Sequence, residues 1–179
     1  MLKPEHAALV VVDIQGKLAT LMHEKDAFYQ AAARMIKGCQ IIEVPVLWNE
    51  QLPDKLGETI PEIKELFEGD SPLVKKSFSC CGNEAFMDKL KEFDRNQVLI
   101  VGMETHVCVW QTAQDLIEEG YEVFLVADAV SSRTVENKQI GIEAIRDLGG
   151  NITSVEQSLF EMLVEAEGDK FKQIIKLVK

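Results

Sequence analysis

Four short runs in this chain are apolar almost throughout: "AALVVVD" (7–13), "PVLWNE" (45–50), "QVLIVG" (97–102) and "EVFLVAD" (122–128). None has the strict alternation of a strand with one wet face. None is long enough for a buried helix. Runs of this kind read as strands covered on both sides, which calls for helices on both faces of a parallel sheet. "PLVKKSF" (72–78) and the weaker "NITSV" (151–155) read as two more strands.

The segments between them have helical spacing. From Asp26 onward, Phe28, Ala32, Met35, Ile36, Cys39 and Ile42 recur on one face. "NEAFMDKLKEF" (83–93) predicts a short helix capped by Asn83. Thr105 is expected to cap another, with Val107, Trp110, Ala113, Leu116 and Ile117 inward. Residues 137–148 predict a helix with Ile140, Ala144, Ile145 and Leu148 aligned, ended by Gly149 and Gly150. Two further helices follow. The last carries a stripe of Phe171, Ile174, Ile175 and Val178 that suits either a core or an interface. "LPDKLGETIPE" (52–62) reads as a loop. The alternation predicts a three-layer α/β/α, Rossmann-like fold with a mostly parallel six-stranded sheet, as one domain over residues 1–179.

Composition narrows the partners. The 179 residues carry a net charge of −11, which opposes binding to nucleic acid or to an anionic membrane. No apolar run reaches the length of a bilayer span, and the first residues do not read as a secretory leader. Cys39, Cys80, Cys81 and Cys108 do not form a disulfide framework, so a reducing, cytoplasmic setting is expected. His6, His23 and His106 lack ligand spacing, and neither a metal nor a cofactor is expected.

Sites in parallel sheets lie beyond the carboxyl ends of the strands. Those ends carry Asp13, Asn49 and Glu50, Lys75 and Lys76, Gly102 to Cys108, and Asp128. An acid, a lysine and a cysteine therefore converge. A helix start and a lysine would both stabilise a Cys108 thiolate. A carboxylate would take the thiol proton and pass it to a leaving group. The strand period allows only one of Lys75 and Lys76 to face the site. His106, two residues before Cys108, does not share its face and is set aside.

Four segments then carry a resemblance. "LVVVDIQGKL", "VKKSFS", "GMETHVCVWQTA" and "VADAVSSR" are similar, in order, to motifs of the isochorismatase-like hydrolases, a superfamily that includes nicotinamidases and N-carbamoylsarcosine amidases. The resemblance covers nearly the whole chain. It implies a catalytic triad of Asp13, Lys75 and Cys108, with Lys75 chosen because it lies three residues before Phe78. It implies an oxyanion hole from the backbone N–H groups of Glu104 and Cys108, and a cis peptide between Met103 and Glu104. Gln15, Phe78 and Trp110 are candidate substrate contacts. Homo-oligomers, dimers or tetramers, are implied as well.

Two departures narrow the chemistry. Where nicotinamidases carry an Asp-x-His metal motif, this chain has Asn49-Glu50-Gln51. Isochorismatases proper lack the nucleophilic cysteine, and Cys108 is present here. The expected activity is cleavage of an amide or related C–N bond of a small molecule through a thioester. The run "NEQLPDKLGETIPEI" looks most like small isochorismatase-domain proteins, some of them labelled ribonucleases, a label the acidic charge does not support. Two other readings stand beside it: a catalytically silent small-molecule or partner-binding protein, and a thiol redox protein suggested by adjacent Cys80 and Cys81.

Overall fold

The computed structural model describes residues 1–67 and 69–179. The strands are β1 (Ala7–Val12), β2 (Val46–Gln51), β3 (Leu73–Lys75), β4 (Gln97–Met103), β5 (Glu122–Ser131) and β6 (Asn151–Thr153). They form one sheet in the order β3-β2-β1-β4-β5-β6, and every pairing is parallel. All residues of β1 and β4, the two central strands, are buried. Their unbroken apolar runs follow from having protein on both sides.

Successive residues of β1 feed two cores. Ala7, Leu9 and Val11 face one, with α2 (Lys25–Ile42), α8 (Val155–Leu163) and α9 (Gly168–Val178). Ala8, Val10 and Val12 face the other, with α5 (Glu84–Glu92), α6 (Trp110–Glu118) and α7 (Val135–Asp147). The six apolar positions read from the sequence of α2 are all buried. Asn83 caps α5, accepting from the Ala85 N–H at 3.1 Å. In the last helix Ile174 is fully buried in the core and Phe171 packs on Phe160, while Phe171, Ile175 and Val178 are only half-buried.

The structure departs from the sequence reading in three places. The expected loop 52–62 contains α3 (Pro53–Leu56) and begins α4 (Pro61–Lys64), each opened by a proline. Proline suits a first helical turn because its missing N–H has no partner there anyway. Helix α7 is rotated from the expected face. Ile140 and Leu148 are exposed, while Gly141, Ile142 and Ile145 are buried. Thr105 caps no helix. It opens a π-helical turn, Thr105–Val109, that precedes α6, and its hydroxyl donates to the Ser131 carbonyl at 3.0 Å.

Gly141 explains the rotation of α7. A Cβ there would lie 2.5 Å from the Thr105 carbonyl carbon and 2.7 Å from the His106 nitrogen. The helix therefore seats its glycine directly on the turn that carries Cys108. Gly141→Ala is expected to destabilise the fold by about 1–3 kcal/mol through overpacking, measured by urea denaturation.

Candidate active site

The strand order reverses direction at β1, with β2 on one side and β4 on the other. That is where a parallel sheet opens a crevice at its carboxyl edge. Three central strands leave the sheet there through non-glycine residues with left-handed backbone: Asp13 (φ 52°), Leu52 (φ 42°) and Glu104 (φ 58°). Such a residue costs on the order of 1–2 kcal/mol, and strain of this kind gathers at functional sites. The turns aim Asp13 and Glu104 into a narrow, nearly closed cleft with only ≈ 20 Å³ of free volume. Its polar lining is Asp13, Gln15, Gln51, Glu104 and Cys108, and its apolar walls are Leu18, Leu56 and Met103.

Lys75 ends β3, two strands from β1. Two strand spacings are roughly 10 Å, a gap that a long lysine side chain helps to bridge. Its Nζ lies 2.6 Å from Asp13 Oδ2, with both side chains buried. The same ammonium donates to the Ser77 carbonyl at 3.0 Å and the Phe78 carbonyl at 2.7 Å. Lys76 points outward and is exposed. The period of two has selected Lys75.

Cys108 sits in the π-helical turn rather than in the first turn of α6, and it is buried. Turns of this type recur at functional sites. Its Sγ is 4.0 Å from Gln51 Oε1. Burial works against the thiolate that a helix start and a lysine would favour. Burial pushes the Cys108 thiol up to about 12, and the neighbouring Asp13 charge adds to this while Lys75 opposes it. Burial also raises the Asp13 carboxyl, again against Lys75. Burial thus favours the neutral forms of both Cys108 and the carboxyl beside it.

The expected cis bond between Met103 and Glu104 is not found; among the described residues every peptide bond is trans. The change of chain direction after β4 is made by rotation about Cα atoms instead. Gly102 has φ 149°, where a Cβ would fall 2.3 Å from the Val12 carbonyl oxygen, and Glu104 follows in the left-handed region.

The candidate substrate contacts fare differently. Gln15 lines the cleft, but its amide is occupied. Its Nε2 donates to the Gln51 and Gly57 carbonyls at 2.9 and 2.7 Å, and its Oε1 accepts from the Gln51 N–H at 2.7 Å. Gln15 thus grips the end of β2 and the following loop. The Phe78 side chain is 53% exposed and lies outside the cleft lining. Trp110 packs against the core beside Cys108 and does not line the cleft. Asp128 accepts from the Val155 N–H at 2.9 Å and so caps α8.

Several supporting residues escaped the sequence reading. Gln51 ties the lysine segment to the cysteine, since its Nε2 donates to the Lys76 and Ser77 carbonyls at 3.3 and 3.0 Å. The Thr112 hydroxyl donates to the Cys108 carbonyl at 2.7 Å and accepts from the Cys80 N–H at 3.0 Å. Ser132 Oγ accepts from the Thr105 N–H at 3.0 Å and lies 3.2 Å from His106 Nδ1. The Glu104 carboxylate is buried and held by Arg133, whose backbone N–H, Nε and Nη2 lie 3.2, 3.3 and 3.2 Å from it. "VADAVSSR" was the available signal for Ser132 and Arg133, though not for their partners.

At the position of the nicotinamidase metal motif, the side chains are turned to other tasks. Asn49 donates to the Val11 carbonyl at 3.2 Å, and Glu50 accepts from the Thr59 N–H and hydroxyl at 2.6 and 2.7 Å. Among the described residues no group of three or more His, Cys, Asp or Glu gathers as metal ligands would. Cys80 is fully buried and Cys81 partly so, and burial raises both thiols.

Comparison with known proteins fits this geometry. The Isochorismatase domain model matches residues 7–157. A secreted isochorismatase effector, Isc1, of Phytophthora sojae is 37% identical over 98% of this chain and 86% of its own length. The structure of MAR1 ribonuclease from Caenorhabditis elegans superposes with a TM-score of 0.92 at 33% identity, covering 99% of this chain and 91% of that one. The YcaC gene product of Escherichia coli, described as an octameric hydrolase of unknown specificity, has a TM-score of 0.92 at 22% identity over 98% of this chain and 89% of that one, a likeness of fold.

Two outcomes follow from the buried groups. Lys75→Met leaves the Asp13 carboxylate buried without its partner and is expected to cost about 3–5 kcal/mol in urea unfolding. The double variant with Asp13→Asn should recover much of that loss. Stability should also fall as pH rises from about 9 toward 12. The unfolded chain ionises its thiols near their ordinary value of 9.0, while Cys81 and Cys108 in the fold hold their protons up to about 12. Urea midpoints across that range measure the slope.

Proposed function

Because the chain belongs to the isochorismatase family of hydrolases, we propose that it cleaves an amide or related C–N bond of a small molecule through a thioester on Cys108. The observation that carries this reading is the Lys75–Asp13 pair, 2.6 Å apart and buried, with Asp13 and Cys108 lining one cleft. Cys108 Sγ attacks the substrate carbonyl as its proton passes to Asp13. The backbone N–H groups of Glu104 and Cys108 receive the developing oxyanion. Collapse breaks the C–N bond, and Asp13 returns the proton to the departing amine. Water then attacks the thioester with Asp13 again as base, which releases the acid and restores the thiol.

Lys75 acts through charge. It holds Asp13 in place and offsets the negative charge that builds up as the thiol loses its proton. Its carbonyl partners at residues 77 and 78 fix the ammonium, so its position does not depend on substrate. A raised Asp13 carboxyl suits an alternating acid and base better than an ordinary carboxylate does.

The MAR1 relative is described as a ribonuclease. A net charge of −11 and the narrow cleft favour a small molecule over a polynucleotide for this chain. The described residues include no helix long and apolar enough to cross a membrane. Four free cysteines support a reducing, cytoplasmic setting. Assembly into a homo-oligomer is part of the proposal, with the octameric YcaC protein as a precedent of the same fold.

The test is incubation with a panel of small amides, followed by mass mapping of Cys108. An acyl adduct on Cys108 is expected, together with release of the acid. Cys108→Ala should abolish both while keeping the unfolding free energy in urea within about 1 kcal/mol of wild type. Asp13→Asn should lower the pH at which Cys108 becomes alkylated, since the opposing charge is gone, and yet stop turnover. A turnover-competent Cys108→Ala protein would overturn the mechanism. A folded protein that binds amides without acylation would point to the silent binding reading. A Cys108 disulfide or sulfenate formed in place of the adduct would point to the redox one.

A further inference from the structure

The charged groups around the cleft cancel in pairs. The Asp13 carboxylate and the Lys75 ammonium together carry no net charge. Lys75 has three N–H groups and three acceptors, so none is left for a ligand. Arg133, with a side chain 54% exposed, is held on Glu104, which lines the cleft, and His106 Nε2 lies 3.7 Å from the same carboxylate. Among the described residues that line the cleft there is no lysine, arginine or histidine. Glu50, buried within electrostatic reach of Asp13, adds a further acid.

What the cleft does offer is apolar wall and one unused acceptor. Leu18, Leu56 and Met103 provide the wall. Asp13 Oδ1 is buried and makes no well-formed hydrogen bond, with the weakly donating Cys108 thiol as the neighbour of the Asp13 carboxyl. A buried acceptor without a donor is costly, and the N–H of an amide would satisfy it. A carboxylate or phosphate brought to the same place would lose its hydration and meet no unpaired cation.

We infer that the site takes small amides bearing no carboxylate or phosphate, and that Glu104 sets this preference by holding Arg133 away from incoming anions. The inference rests on Cys108 being the nucleophile. Glu104 then has two separate tasks. Its backbone N–H belongs to the reaction, and its side chain to specificity. Exclusion of an unwanted ligand by an occupied cation is a form of selection against the competitor. The side chain of Glu104 is therefore the specificity-determining group, and Arg133 is its counterpart.

Two alkylating reagents of nearly equal size separate the possibilities. Iodoacetamide is neutral and iodoacetate is an anion. Each is reacted with the full-length protein at pH 8, and Cys108 modification is quantified by peptide mass mapping. Rates are divided by those of the same cysteine in the urea-unfolded chain, which removes the intrinsic difference between reagents. The normalised preference for iodoacetamide is expected to be about tenfold, or about 1.4 kcal/mol of discrimination. Glu104→Gln frees Arg133 and should bring the two rates together or reverse them. Adding Arg133→Met to Glu104→Gln should restore the neutral preference. A general disturbance of the turn would slow both reagents alike. Equal normalised rates in the wild type, or an unchanged ratio in Glu104→Gln, would overturn the inference and leave the hydrolase reading intact. Failure of both reagents to modify folded Cys108 even when the pH is raised to 10, with the unfolded chain reactive, would overturn the nucleophile assignment and this inference with it.

Discussion

The buried ion pair between Lys75 and Asp13 is the interaction on which the site depends. It links the edge strand β3 to the central strand β1 across β2, over the carboxyl end of the sheet. Two charges taken out of water repay their desolvation only when geometry and further hydrogen bonds are good. Here the ammonium has three oxygen acceptors at 2.6 to 3.0 Å. The segment 77–78 is fixed by the same contacts, and Gln51 clamps its neighbours. One charge thus organises the wall opposite Cys108.

Around that pair, the backbone is held by polar side chains more than by regular structure. Gln15 bonds both the N–H and the carbonyl of Gln51, as an adjacent strand would. Ser131 and Ser132 hold Thr105, and Thr112 joins the Cys108 carbonyl to the Cys80 N–H. These bonds restrain strand exits whose left-handed residues would otherwise relax. Rigid placement of reacting groups is how an enzyme removes the entropy cost of bringing them together. The result is a buried thiol and a partnered carboxyl, both held in place by the surrounding backbone.

Much of the framework was legible in the chain. Strands β1, β2, β4 and β5 announced themselves because burial on both faces removes alternation and leaves only apolar residues. The face of α2 was legible for the opposite reason, because one buried side at period 3.6 leaves a clear stripe. Helix α7 misled because Ile140 and Leu148 suggested a face that the packing ignores. The deciding residue was Gly141, whose lack of a side chain carries no hydropathy signal. Phe78 misled in the same way: its carbonyl receives Lys75 while its ring stays in solvent.

The sequence alone determined the sheet, its order of chemistry-bearing strand ends, and the choice of an acid, a lysine and a cysteine. Those follow from local pattern, which propagates over only a few residues. The tertiary structure decided their state. It placed Lys75 over Asp13 and turned Lys76 to water. It pushed the Cys108 thiol upward, because desolvation outweighs the nearby ammonium. It assigned the Gln15 amide to the backbone and the Glu104 carboxylate to Arg133. Protonation and partnership depend on what surrounds a group in space, and residues as far apart as 13, 75 and 108 become neighbours only when the sheet has formed.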